Sequence, residues 1–431
     1  MKKTPTKKIL CLCLALALCL SMLTVASASA EKKKVVMWTW ASGQFDNVMA
    51  AYFAAHPDAD WEFEEVVIDG NDYLTKLQQG YASGGDMPDI LMGEISARAS
   101  SFALNIWDNL EGEPYNFDRS LLLDYVPSVT SNAAGEIVGI ENSQNPAFMA
   151  YKRDLALEYL GTDDPDELAA MFQTYEDYAT IGQQVYEQSN GTVALFPGLQ
   201  DVSTMMIMQQ RDQCNLDEDG TLNVSGKIKP ILETLEKLRD AHAAGNLNLW
   251  STQWYANYGQ SNNILFPSAS WSITYQIEPN DPEGCARGNW GAFTPVGGGY
   301  GWGGTCYGIY KNSEVKEELW DYLQWVLLSK EGAEVMKETS FFLPLKSLYT
   351  DPSFTEGTRT SFGNQQIYKF MMVDIASQIP SASLSIYDSM VNESMDMVAQ
   401  IMMADDTVTA DEAYETYMED LQAKVPDITV R

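Results

Sequence analysis

Hydrophobic and polar positions near the start of the chain switch repeatedly between two periods. Residues 33–40 (KKVVMWTW) place β-branched and aromatic residues after a charged lead-in, the pattern of a short buried strand. Ala41, Ser42 and Gly43 break it. Phe45, Val48, Met49, Tyr52 and Phe53 then recur at helical spacing. Pro57 ends that helix, because the residue before a proline leaves the α region. Residues 61–68 predict a second strand, 73–82 a second helix stopped by Ser83, Gly84 and Gly85, and 88–92 a third strand. Such strand–helix alternation predicts a parallel sheet with helices outside it.

The pattern then changes. Residues 158–160 and 169–187 are amphipathic, the latter after an acidic start at Asp163, Asp164 and Asp166. Another helix is expected over 228–244, ended by Gly245. Strands are expected at 192–196 and 271–275, and at 290–295 and 305–310 on either side of a glycine-rich connection, 297–304. Helices follow at 315–328 and 330–338, and the chain from 361 onward reads as mostly helical. The alternation stops near Ile140 and strands return near Trp290, which predicts two lobes, each built from separate pieces of chain. A length of 431 residues also exceeds what one core supports.

The first thirty residues set the compartment. Lys2, Lys3, Lys7 and Lys8 precede an apolar run over 9–25, and Ala26, Ala28 and Ala30 supply A-x-A spacing before Glu31. This is the pattern of a cleaved secretory signal peptide. Leu18 is too large for the lipoprotein pattern around Cys19, so export without a lipid anchor is expected. The net charge of −33 repels nucleic acid and anionic lipid. Three cysteines fall in the leader; Cys214, Cys285 and Cys306 are far apart, with neither a disulfide framework nor zinc spacing. A Cys285–Cys306 bridge stays open on sequence alone.

Catalytic motifs are absent. His56 and His242 are the only histidines, both expected at the surface, which argues against a Ser–His–Asp triad or a histidine metal site. There is no G-x-S-x-G, P-loop or dinucleotide fingerprint, and 297–304 opens no helix that could cradle phosphate. The acidic run at 215–220 resembles the start of a calcium loop. Its twelfth position is Gly226, so a turn at Asp219-Gly220 is the better reading. No cofactor, metal or catalytic residue is expected. A secreted glycoside hydrolase needs a carboxylate pair across a cleft, and no local motif marks one. A surface scaffold would bring repeats, and none occur.

Several segments, in order, resemble the extracellular solute-binding proteins of carbohydrate ABC transporters (family 1, maltose-binding-protein-like). They are Tyr73, Lys76 and Leu77 with Ala82, Ser83 and Gly84 and then Pro88, Asp89 and Ile90; Gly135 to Ile140; Tyr151 with Asp154 and Leu155; Trp290 to Pro295; Asn312 and Ser313 with the helix to Leu328; Ser329 to Gly332; and Leu343-Pro344. The second segment lacks the family's first residue, its Tyr and its following Pro.

The resemblance implies an α/β, two-lobed periplasmic-binding-protein-like fold. Each lobe would be a mostly parallel sheet flanked by helices, with the ligand cleft between lobes. By this analogy the N-terminal lobe comprises 31–143 plus 295–343 and the C-terminal lobe 144–294 plus 344–431, with crossings near 141–146, 292–296 and 342–345. It also implies a monomer that captures a small-molecule ligand, in particular a carbohydrate, and delivers it to the transmembrane subunits of an ABC permease. A peptide, polyamine or other organic solute is the alternative cargo.

A sugar needs aromatic faces for its C–H surface and fixed polar groups for its hydroxyls. The candidates are Trp38, Trp40 and Gln44 at the end of the first strand, Glu94 after the third, and Asn145 at the first crossing. Gln200 and Asp201, Trp254 and Tyr255 in an aromatic polar loop, Trp271, Tyr275, and Trp302 among Gly301, Gly303 and Gly304 complete the set.

Overall fold

The computed structural model describes residues 32–40, 42–43, 45–210, 216–217 and 219–431. The expected leader, Gln44 and Cys214 lie outside the described residues. Strand β1 (Lys33–Thr39), helix α1 (Asp46–Ala55), β2 (Trp61–Val67), α2 (Gly70–Ser83) and β3 (Ile90–Glu94) follow the predicted rhythm. β1 pairs in parallel with β2 and β3. After β4 (Ile140–Glu141) the chain leaves this sheet, and β5 (Pro146–Lys152) starts a second one.

Helices α3 (Tyr175–Gln188), α4 (Leu199–Met208) and α5 (Ser225–Asp240) cover one side of that second sheet. The predicted helix at 169–187 is in fact two, Pro165–Met171 and then α3. Asp164 caps the first, and Thr174 and Asp177 form a capping box on the second.

The second sheet continues with β6 (Leu265–Ala269), β7 (Trp290–Phe293) and β8 (Tyr300–Gly301). All three run antiparallel to β5. The expectation of a mostly parallel sheet is therefore corrected for this lobe. The βα rhythm that delivers strands in parallel ends before β5, and long helical stretches return the chain to the opposite end.

Three further differences have physical causes. The expected strand at 192–196 makes only isolated parallel bridges, Ala194 with Asn263 and Phe196 with Ala244. The expected strand at 271–275 is helical, with a widened turn over Ile273–Ile277. Ala269 N donates to Ser272 Oγ at 3.0 Å, a capping contact that outweighs the β-branched character of Ile273 and Thr274. The second crossing lies later than 292–296. β8 still pairs with Pro146 and Ala147, so the chain changes sheet over 302–304.

Strand β9 (Thr305–Ile309) then enters the first sheet antiparallel to β3 and β4, giving the order β2-β1-β3-β9-β4. α6 (Lys330–Glu338) packs on α1. Phe342 lies against the first crossing, where Gln144 N donates to its carbonyl at 2.9 Å, while Leu345 bridges to Leu122 of the first lobe. α7 (Asp388–Ala404) and α8 (Ala410–Lys424) finish the second lobe against α4 and α5.

Every residue of β5 is buried. Its alternation feeds two cores: Phe148 and Ala150 face one, and Ala147, Met149 and Tyr151 the other. Cys285 and Cys306 are buried free thiols, which closes the question of a bridge between them. His56 is half-buried against Tyr52, and His242 is exposed. No helix among the described residues is long and apolar enough to cross a membrane.

Candidate functional site

Two of the crossings between sheets meet at a buried charge pair. Arg98 is fully buried and pairs with Glu141 through both terminal nitrogens. It also donates to the carbonyls of Gly93 (3.0 Å), Val129 (2.9 Å) and Gly304 (3.0 Å). One guanidinium thus ties the end of β3 to β4 and to the second crossing, using the fork geometry that suits arginine to this task. Gly304 has φ +132°, a backbone conformation that side chains rarely adopt.

The first crossing, 142–145, is polar and buried. Asn145 has φ +50°, its carbonyl accepts from Trp302 N at 3.2 Å, and its Oδ1 has no partner. The side-chain oxygens of Asn142 and Gln144 are likewise buried without partners. These groups hydrogen-bond incompletely in this arrangement of the lobes.

Beside the crossings lies a cleft of about 360 Å³. The first lobe contributes Glu94 and Ser96, and the second crossing Trp302 and Gly303. The second lobe contributes the outer part of α4, the loop at Leu249 and Trp250, and one polar face of α7. Ser96 N donates to Glu94 Oε2 at 2.8 Å, which fixes that carboxylate at the end of β3.

Four tryptophans form one cluster at this cleft. Trp250 and Trp271 are nearly parallel, with centroids 6.0 Å apart and planes at 24°. Trp250 also lies 5.3 Å from Trp254 and 5.8 Å from Trp302, and Trp271 lies 5.3 Å from Trp302. Trp271 Nε1 donates to the Trp302 carbonyl at 2.9 Å, so Trp271 is locked to the crossing. Trp250 is the exposed member, 47% accessible, on a backbone at φ +67°.

Beneath it, Trp254 is fully buried and donates through Nε1 to Asp201 Oδ1 at 2.9 Å. Asp201 is buried with its other oxygen unpartnered, and burial pushes its carboxyl up to about 7. Gln200 Oε1 accepts from Leu249 N at 3.0 Å and so positions the loop bearing Trp250.

The sequence candidates divide accordingly. Glu94 and Trp302 line the cleft, Trp271 joins the cluster, and Trp254, Asp201 and Gln200 support it from below. Tyr255 packs on Trp254 at 5.1 Å. Asn145 lies in the crossing. Trp38 and Trp40 are elsewhere: both pack edge-on against Tyr73, because the face they share is covered by α2. Tyr275 sits one turn beyond Trp271 and turns to Phe341 instead.

Sequence reasoning missed Trp250 and the face of α7 that carries Ser389, Asn392, Glu393 and Asp396. Trp250 had a signal, an aromatic residue outside any hydrophobic periodicity in a polar loop. The α7 face had only the three-to-four spacing of polar residues, which any solvated helix shows.

Glu94, Glu393 and Asp396 are the acids of the cleft; among the described residues no Lys or Arg lines it, and Lys424 reaches Glu393 at 3.6 Å. Burial and the neighbouring Glu393 push Asp396 up to about 6. No group of three metal-ligating side chains occurs among the described residues.

No family model matches the chain. An arabinooligosaccharide-binding protein of Halalkalibacterium halodurans is 22% identical over 420 residues, covering 91% of this chain and 89% of that one. A crystal structure of an extracellular solute-binding protein of family 1 superposes with a TM-score of 0.75 at 18% identity, over 91% of this chain and 99% of that one. This chain has the extracellular solute-binding fold. The galacto-N-biose-/lacto-N-biose I-binding protein of a Bifidobacterium longum ABC transporter, in complex with lacto-N-biose, shares the fold with a TM-score of 0.73 at 16% identity, over 93% of this chain and 99% of that one.

Proposed function

We propose that this protein is the exported substrate-binding subunit of an ABC importer and captures a sugar or oligosaccharide without transforming it. The observation that carries this reading is the exposed face of Trp250, held by Trp271, Trp302 and Trp254 at the edge of the cleft between the lobes. A flat indole meets the C–H face of a sugar ring, and the carboxylates and amides of Glu94, Asn392, Glu393 and Asp396 accept and donate at its hydroxyls.

Two similar proteins support the cargo class, since one is named for arabinooligosaccharides and another holds lacto-N-biose. Closure about residues 142–145 and 302–304 brings Glu94 toward α7, and ligand selects the closed state through its greater affinity for it. The closed face is then presented to the permease.

A second reading, a cationic organic solute, is favoured by the three acids of the cleft, of which Glu393 is shared with Lys424 at 3.6 Å. A thermal-shift screen of the full exported chain separates the two. Ligand that binds the folded state raises Tm. Saturable shifts with neutral oligosaccharides, and no product by mass, are expected. Shifts confined to polyamines would replace the sugar reading, and cleavage of an oligosaccharide would overturn the binding-only assignment.

A further inference from the structure

Helices α3 and α5 end side by side in the same way. At the end of α3, Gly191 N donates to Tyr186 O at 2.8 Å around Asn190, whose φ is +55°. At the end of α5, Ala243 N donates to Leu238 O at 2.8 Å around His242, whose φ is +53°. Both are left-handed helix stops, a position that favours Gly or Asn. Asn190 fits that rule; His242, a rarer choice that the left-handed region still admits, places its ring in the lining of a groove.

Its ring is stacked on Tyr186, with centroids 4.4 Å apart and planes at 26°. Gly191 makes room for this stack, since a Cβ there would lie 3.2 Å from the Tyr186 ring. Gly182 of α3 meets the turn that follows α5, where a Cβ would lie 2.3 Å from that of Ala243.

The stacked pair forms one end of a groove of about 530 Å³ on the second lobe, within the range of small-ligand sites. Its other wall carries the amides of Asn246, Gln253, Gln260 and Asn262. Asn262 Oδ1 is buried without a partner, while its Nδ2 reaches Gln260 Oε1 at 3.3 Å. Among the described residues no Asp, Glu, Lys or Arg lines this groove, in a chain with 60 acidic and 27 basic residues. The groove is distinct from the cleft. Leu247 lines the groove and Trp250 lines the cleft, and the two sets of lining residues do not overlap.

We infer that this groove is a second binding site, for a neutral saccharide. Exposed aromatic surface at His242 and Tyr186 receives the C–H face of one sugar ring. The amides, which both donate and accept, satisfy hydroxyls of either sense. A charged ligand would find no counter-charge in the lining, whereas a neutral polyhydroxyl ligand needs none.

The test uses the full exported chain, its Trp250→Ala variant to weaken the cleft, and Tyr186→Ala and His242→Gly variants to remove the stack. Arabinotriose, maltotriose and trigalacturonate are titrated against isotope-labelled protein, reading the His242 ring and the side-chain amides of Gln253 and Asn262 by NMR. A neutral trisaccharide is expected to shift these signals saturably in the parent and equally in Trp250→Ala. Tyr186→Ala and His242→Gly should weaken the amide response about tenfold. His242→Gly should do so with Tm at or above the parent, because glycine relieves the left-handed backbone.

The inference is overturned if neither neutral sugar shifts the groove signals, if the shifts vanish in Trp250→Ala, or if trigalacturonate shifts them as strongly. Loss of cleft binding alone would sink the importer reading and leave the groove standing.

Discussion

Arg98 grips Glu141 through two nitrogens, with both side chains out of solvent, where the chain leaves its first sheet. Because Gly304 O accepts from the same guanidinium, this pair also holds the second crossing. Removing one partner leaves a buried charge unpaired. Arg98→Met and Glu141→Leu are each expected to destabilise the protein by about 3–5 kcal/mol, and the double variant by less than their sum. Urea unfolding of the four proteins measures this. Additive losses would show that the two side chains do not act as a pair.

Gly304→Ala tests the crossing itself. At φ +132° alanine should cost about 1–3 kcal/mol through the backbone, since its Cβ would meet Glu141 Oε1 at an ordinary contact distance of 3.5 Å. Gly135→Ala, also left-handed but with nothing within 4 Å, isolates the backbone part of that cost. Equal losses in the two variants would mean that Glu141 adds nothing at Gly304.

Trp250 and Trp254 touch, yet they should fail differently. Trp250→Ala removes the exposed platform and should weaken ligand binding by about 1–3 kcal/mol with little change in Tm. Trp254→Ala opens a cavity and strips Asp201 of its donor, so it should cost about 3–5 kcal/mol of stability. Calorimetric titration with the sugar found by screening, run beside thermal unfolding, checks the split. A Trp250→Ala variant with parental affinity would remove the platform from the site.

Asp201 sets an unusual pH dependence. Its folded carboxyl titrates near 7, above the ordinary value near 4 of the unfolded chain. Below pH 4 both states hold the proton. Between the two values the folded state binds more protons than the unfolded state, so stability falls as pH rises and the loss is complete above 7. Raising the pH from 5 to 8 should cost on the order of a few kcal/mol, and Asp201→Asn should abolish most of that slope. Denaturant midpoints at several pH values decide it. A parental slope in Asp201→Asn would assign the effect elsewhere, with Asp396 the next group to test.

The first three strands and two helices were legible because each obeys a single period and most are bounded by glycine or proline. The second lobe was less so. Residues 271–275 look like a strand by composition, and the contact between Ala269 and Ser272 caps them as the start of a helix. The second crossing was displaced because β8 is two residues long and carries no pattern of its own.

At the candidate site, Glu94 and Trp302 stand out as chemistry at a strand end and beside glycines. Trp38 satisfies the same description and is packed under α2 instead. Local sequence reports what a residue offers, not which face its neighbours cover. That limit also hid α7, whose polar face gains meaning only from the loop 140 residues earlier that it confronts.

α7 begins at Asp388 in a chain of 431 residues, and its side chains finish a cleft opened by Glu94. A polypeptide halted before that helix would carry the tryptophans but lack one wall of the cavity. On the proposed reading, capture of ligand would therefore report that synthesis and folding had passed this helix, and copies halted earlier would not compete for cargo.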